Sequence, residues 1–221
     1  MRQLALDLGF LVEASLDNFV PGRNTEVLAL LRSIAAGATA PRLIYLWGDS
    51  GCGRSHLLRA LAAPARHYIA AAELSAGTSA AVVLLDDVEF LSAEAQQTLF
   101  RWLVDAPPQL IVSGARAPLF LQLRDYLRSR LAAGLVFQVH ALNDAEKRAA
   151  LLERAQAMGL GLPAPAIDYL LAHGPRDMRS LMSTLVWLDR MSLEQQRRIT
   201  PRLLREFLQR PREAGLASDA F

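Results

Sequence analysis

The sequence predicts an α/β protein in which a five-stranded parallel sheet, helices on both faces, is followed by a small all-helical domain. Three observations carry this. Short apolar runs without polar alternation recur between helical stretches, the signature of strands buried on both faces. A glycine-rich loop joins the first of these strands to a helix. After residue 142 the strand signals stop and only helical periodicity remains.

Taken in order, Val27, Leu28, Leu30, Leu31 and Ile34 fall at helical spacing, ended by Gly37. Leu43 to Trp47 is the first apolar strand, and a helix over 54–62 follows the loop. His67 to Ala70 is a weaker strand. Ala81 to Leu85 is a buried strand ending at Asp86-Asp87. A helix runs from Ser92, its N-cap, to Val104, with Glu94 in the first turn. Gln109 to Ser113 is a strand, Pro118 to Leu131 a helix, and Leu135 to Val139 the last strand. Helices are expected over 144–158, 163–172, 177–191 and 201–209, with Asn143 or Asp144 capping the first and Thr200-Pro201 opening the last. The expected organisation is an extended peptide at 1–10, an α/β core at 11–142, a helical domain at 143–210 and a tail at 211–221.

Composition narrows the function classes. The chain has 221 residues, 52% hydrophobic and 21% charged, which is globular rather than disordered. The net charge is +2, from 24 basic and 22 acidic residues, so no overall nucleic-acid footprint is present. Cys52 is the only cysteine, which rules out an internal disulfide and fits a reducing cytosol. Residues 1–10 lack the features of a signal peptide, and no apolar run approaches the roughly 20 residues of a spanning helix. A bacterial cytoplasmic location is expected.

Gly48-Asp49-Ser50-Gly51-Cys52-Gly53-Arg54-Ser55 follows the phosphate-loop pattern, with Arg54 where lysine is usual. Glycines let backbone N–H groups converge on a phosphate, and the next helix adds its positive end. Ser55 is placed to ligate Mg²⁺. Arg54 carries a planar fork rather than a compact ammonium, so binding should survive while γ-phosphate positioning suffers. A plain glycine-rich turn is the competing account. Asp86, delivered to a strand end, suits a direct or second-shell Mg²⁺ contact, and Asp87 can polarise a water. A solvated acidic turn is the alternative there. His56, His67, His140 and His173 show no metal spacing.

The two nucleotide elements, joined to a helical domain, make the chain resemble the AAA+ ATPases over about residues 15–210. Within them it resembles the replication initiator DnaA and, more closely, the Hda family of DnaA-related regulatory inactivators, which lack the initiator's C-terminal DNA-binding domain. Gln3-Leu4-Ala5-Leu6-Asp7-Leu8 resembles that family's clamp-binding peptide, in which Gln3, Leu4, Leu6 and Leu8 would enter a partner groove. Phe19-Val20-Pro21-Gly22 and Asn24 resemble the segment near adenine. The resemblance implies nucleotide contacts at Phe19, Val20, Asn24, Gly48, Ser50, Gly51, Cys52, Gly53, Arg54, Ser55 and His56. Leu110 to Arg116 resembles sensor 1, where an Asp commonly precedes the arginine; Ala115 stands there and argues against efficient hydrolysis by the chain itself. Leu127 to Leu131 resembles the Box VII element, making Arg130 the arginine finger. Arg176 to Arg179 resembles sensor 2, with Arg179 contacting phosphate. A solvated helix face for Arg124, Arg128 and Arg130, and a surface ion pair for Arg179, are the plainer readings.

The resemblance implies a regulator of chromosomal replication initiation that binds ADP or ATP with Mg²⁺. It would also bind the β sliding clamp of DNA polymerase III loaded on DNA, meeting DNA only through that clamp. It would stimulate hydrolysis of DnaA-bound ATP in trans, with Arg130 and Asp87 as its reactive side chains. Homo-oligomerisation stays open. The rival readings are a self-hydrolysing AAA+ ATPase, such as a helicase loader, and a DNA-binding initiation factor.

Overall fold

The computed structural model describes residues 13–39, 41–75, 77, 80–104, 108–195 and 204. The core unit, residues 12–143, and the unit that includes residues from 144 onward are separate compact bodies. In the first, α1 (Thr25–Ala35) precedes β1 (Leu43–Trp47), α2 (Arg54–Leu61), β2 (Arg66–Ala70) and β3 (Val82–Asp86). Then come α3 (Ala93–Val104), β4 (Gln109–Gly114), α4 (Asp125–Ala132) and β5 (Leu135–Gln138). All pairings are parallel and the strand order is β2-β3-β4-β1-β5.

The unbroken apolar runs are explained by burial on both faces. Alternate residues of one strand serve different layers. Ile44, Leu46, Leu84 and Ile111 pack on α1 and α2 through Val27, Leu31, Leu57 and Leu61. Tyr45, Val83, Leu85, Leu110 and Val112 pack on the opposite side, against Ala95 and Leu99 of α3 and Leu127 and Leu131 of α4. β5 lies at the sheet edge and is more exposed. Ser92 caps α3 as expected, its Oγ accepting from the Ala95 N–H at 3.1 Å.

One expectation is corrected. Residues 118–131 do not form a single helix. Pro118–Phe120 make one 3-10 turn, 121–124 are non-helical, and α4 starts at Asp125. Leu121 and Leu123 are buried while Gln122 and Arg124 are exposed, so this stretch follows a two-residue period and not a helical one.

In the second unit, α5 (Asp144–Ala157), α6 (Ala164–His173) and α7 (Met178–Gln195) share a core of Leu151, Ile167, Leu170, Leu181, Leu185 and Leu188, joined by Leu204. Asp177 Oδ1 accepts from the Ser180 N–H at 2.8 Å and so caps α7, which runs four residues past its expected end. Arg148 and Asp168 tie α5 to α6 at 2.7 Å. The helix expected over 201–209 lies, apart from Leu204, outside the described residues, as does the tail. Among the described residues no helix is long and apolar enough to cross a membrane.

The end of β4 is tightly fitted. A methyl added at Gly114 would overlap the hydroxyl of Tyr45 and crowd Val88. Tyr45 is fully buried, and its hydroxyl donates to the Arg116 carbonyl at 2.8 Å. Burial holds that phenol protonated, well above its usual range. Gly114→Ala is expected to lower unfolding free energy by about 1–3 kcal/mol in urea melts. Combined with Tyr45→Phe, which removes the overlapping oxygen, it should cost less than the sum of the two single changes.

Candidate functional site

The parallel register brings the ends of β1, β3 and β4 to one edge of the sheet, where open α/β sheets bind ligands. β1 feeds the phosphate loop and β3 ends in Asp86. Gly53 takes a left-handed φ of 104°, turning the chain from the loop into α2. A Cβ there would stand 2.7 Å from the Phe19 ring, so the position also needs glycine for its close contact.

Phe19 therefore lies directly on the loop. Its ring centre is 5.7 Å from that of His56, whose Nε2 is 2.9 Å from the Ser15 carbonyl. The segment expected near adenine thus runs against the loop and the first turn of α2, with Phe19 buried and Val20 half-buried. Asn24 is otherwise engaged. Its amide donates to the His140 carbonyl at 2.9 Å and accepts from the His140 N–H at 2.7 Å, closing a two-bond clamp. Its amide is thus already used within the protein. Next to it, Val139 N–H donates to the Trp47 carbonyl at 2.6 Å, and the Val139 carbonyl lies against Gly48.

Within the loop, Ser50 and Gly51 are exposed, and Ser55 and His56 are half-buried. Cys52 is buried, and burial raises its thiol pKa, which fits a filler role rather than a nucleophile. Arg54 opens α2 and reaches Asp87, with Nη2 3.4 Å from Oδ1. Its other terminal nitrogen, Nη1, is buried and has no hydrogen-bond partner.

The acid pair is held in an arrangement that strand spacing does not reveal. Asp86 is 3% exposed. Its Oδ1 accepts from Ser113 Oγ at 2.5 Å and its Oδ2 from Tyr68 Oη at 2.7 Å. Tyr68, on the neighbouring β2, carries Arg59 over its ring at 5.1 Å, and burial and the Asp86 carboxylate push its pKa up to about 12. Ser113 acts twice, because its Oγ also accepts from the Asp87 N–H at 2.9 Å. Asp87 has φ of 54°, the one left-handed non-glycine among the described residues. Burial and the neighbouring Asp86 raise its carboxyl pKa, while Arg54 opposes them.

The surroundings of Asp86 favour a water-mediated contact to a metal over direct ligation. Both of its oxygens already accept from hydroxyls, and it is nearly closed to solvent. The second-shell role remains compatible. No group of three His, Cys, Asp or Glu side chains able to hold a metal ion occurs among the described residues.

Ser113, Tyr68 and Glu89 were not singled out by sequence reasoning. Ser113 lay inside the sensor 1 resemblance, but nothing in the pattern marked its hydroxyl. Glu89 Oε1 accepts from the Ala115 N–H at 3.0 Å, which brings a carboxylate to the segment where Ala115 supplies none. Arg130 lies exposed on α4 and makes no salt bridge among the described residues, whereas Arg128 on the same helix pairs with Asp125. Arg179 is half-buried near the start of α7, with Nε lacking a partner. Gln3, Leu4, Leu6 and Leu8 lie outside the described residues.

Residues 144–208 match the family described as Hda, lid domain. Domain III of the replication initiation protein DnaA from Thermotoga maritima is similar at 19% identity and a TM-score of 0.69, covering 90% of this chain and 98% of that one. AMPPCP-bound DnaA from Aquifex aeolicus is similar at 25% identity and a TM-score of 0.66, covering 83% and 67%. A Thermotoga maritima RuvB variant has 20% identity and a TM-score of 0.68, covering 90% and 73%. The Thermotoga likenesses speak for the fold alone. Residues 144–208 thus match the Hda lid family, and the phosphate-loop core has the fold seen in DnaA.

Proposed function

We propose that the chain regulates replication initiation by binding an adenine nucleotide at its own phosphate loop and promoting hydrolysis of ATP held by DnaA. The observation that carries the second half is Arg130. It stands exposed on α4 without an ion partner among the described residues, next to arginines that have partners. A guanidinium acting on a neighbour's γ-phosphate must be free to leave its own surface, and such a finger contributes roughly 10³–10⁵ in rate. The Hda lid match supports the same reading. Adenine nucleotide as ligand is supported by the AMPPCP held by the Aquifex aeolicus DnaA that this core resembles. Arg179 on α7 would contribute a phosphate contact from the lid.

Gln3, Leu4, Leu6 and Leu8 would engage the sliding clamp of DNA polymerase III. Tethering there raises the local concentration of the regulator near loaded DNA without any direct DNA contact. The protein would act in the bacterial cytoplasm. The rival, a self-hydrolysing ATPase, is disfavoured by Arg54 in the lysine position and its pairing with Asp87.

The decisive measurement is hydrolysis of DnaA-bound ATP in the presence of clamp-loaded DNA. Arg130→Ala should reduce stimulation by roughly 100-fold or more while leaving clamp pull-down intact. Normal stimulation by that variant would overturn the finger assignment. Leu6→Ala should lose both clamp pull-down and stimulation. Isolated wild-type protein should turn over ATP slowly, and vigorous turnover would favour the self-hydrolysing reading.

A further inference from the structure

We infer that Arg54, rather than a divalent cation, links the phosphates of the bound nucleotide to the acid-bearing strand β3, so that nucleotide binding does not require a metal. The inference rests on the phosphate loop being a nucleotide site, as proposed above.

The usual arrangement needs a cation because two kinds of anion, phosphate and carboxylate, must share one place. Here the carboxylates already have donors from the protein. Asp86 has both oxygens bonded to the Ser113 and Tyr68 hydroxyls. Those hydroxyls come from β4 and β2, the strands on either side of β3, so Asp86 is held from both directions. Asp87 is turned by its left-handed backbone and faces Arg54.

Arg54 has the geometry to do the linking. Its side chain is only 11% exposed. One terminal nitrogen reaches Asp87, and the other is closed to solvent with no acceptor. A buried donor of this kind is seldom left unsatisfied in a finished site. The acceptor must be supplied from outside, since the converging loop N–H groups are themselves donors. A guanidinium offers parallel donors in a rigid fork and suits a bridge between carboxylate and phosphate; a lysine ammonium offers a single point charge. The 3.4 Å contact to Asp87 is long for a charged hydrogen bond, which leaves room for the fork to settle once a phosphate arrives. The occupant is a nucleoside diphosphate or triphosphate whose inner phosphate lies on the loop.

The test is ADP titration of the full-length protein by calorimetry, with excess Mg²⁺ or with EDTA. Wild-type affinity should change by less than about threefold between the two conditions. Arg54→Lys should bind at least about tenfold more weakly in EDTA than in Mg²⁺, because the point charge cannot span both anions. Ser113→Ala, which frees one Asp86 oxygen, should also become Mg²⁺-responsive. Thermal melts with ADP give a second readout that needs no hydrolysis. Loss of wild-type ADP binding by tenfold or more in EDTA would overturn the inference while leaving the nucleotide site in place. Failure to bind ADP or ATP in either condition would instead remove the nucleotide-site reading itself.

Discussion

The Ser113 hydroxyl is the interaction on which the site depends. It donates to the Asp86 carboxylate and accepts from the Asp87 N–H, so a single oxygen on β4 positions two consecutive acids on β3. Asp86 is satisfied and withdrawn from solvent. Asp87 is turned into a left-handed conformation that a non-glycine residue rarely adopts, a strain kept only where surrounding bonds over-determine it. From that position its carboxylate meets Arg54, and the phosphate loop becomes coupled to the sheet edge. A buried polar network of this kind rigidifies when each member has its partners.

Much of the fold was readable because the relevant signals are local. The runs Leu43 to Trp47 and Val82 to Asp86 read as strands since burial on both faces removes polar alternation. The phosphate loop read directly because its glycines sit at the spacing that its turn requires. The break at 121–124 was missed because Leu123, Leu127 and Leu131 fall four residues apart, which extends the helical pattern of α4 upstream of its start. Only packing against the sheet distinguishes the alternating stretch from the helix.

The site was less legible for a different reason. Tyr68, Asp86 and Ser113 belong to three strands, and their hydrogen bonds exist only because the order is β2-β3-β4. No spacing along the chain encodes that adjacency. The same holds for Asn24, which reads as a segment neighbouring the nucleotide but uses its amide to hold the His140 backbone. Arg54 shows the limit from the other side. The sequence marks its unusual identity, but its partner Asp87 and its unsatisfied nitrogen appear only once the loop and β3 are side by side.

The Asn24–His140 clamp also has a consequence for how the chain is made. It joins positions 116 residues apart, and β1 lies between β4 and β5, both of which follow it in the chain. A nascent chain stalled before residue 135 therefore contains the entire phosphate loop but lacks the edge strand β5 and the clamp that follows it. Contacts of such long sequence separation form late, after the loop-closure entropy of the intervening chain has been overcome. Translation order thus places the backbone that packs against Gly48 among the last parts of the core to close, and β1 waits with one side unpaired until β5 emerges.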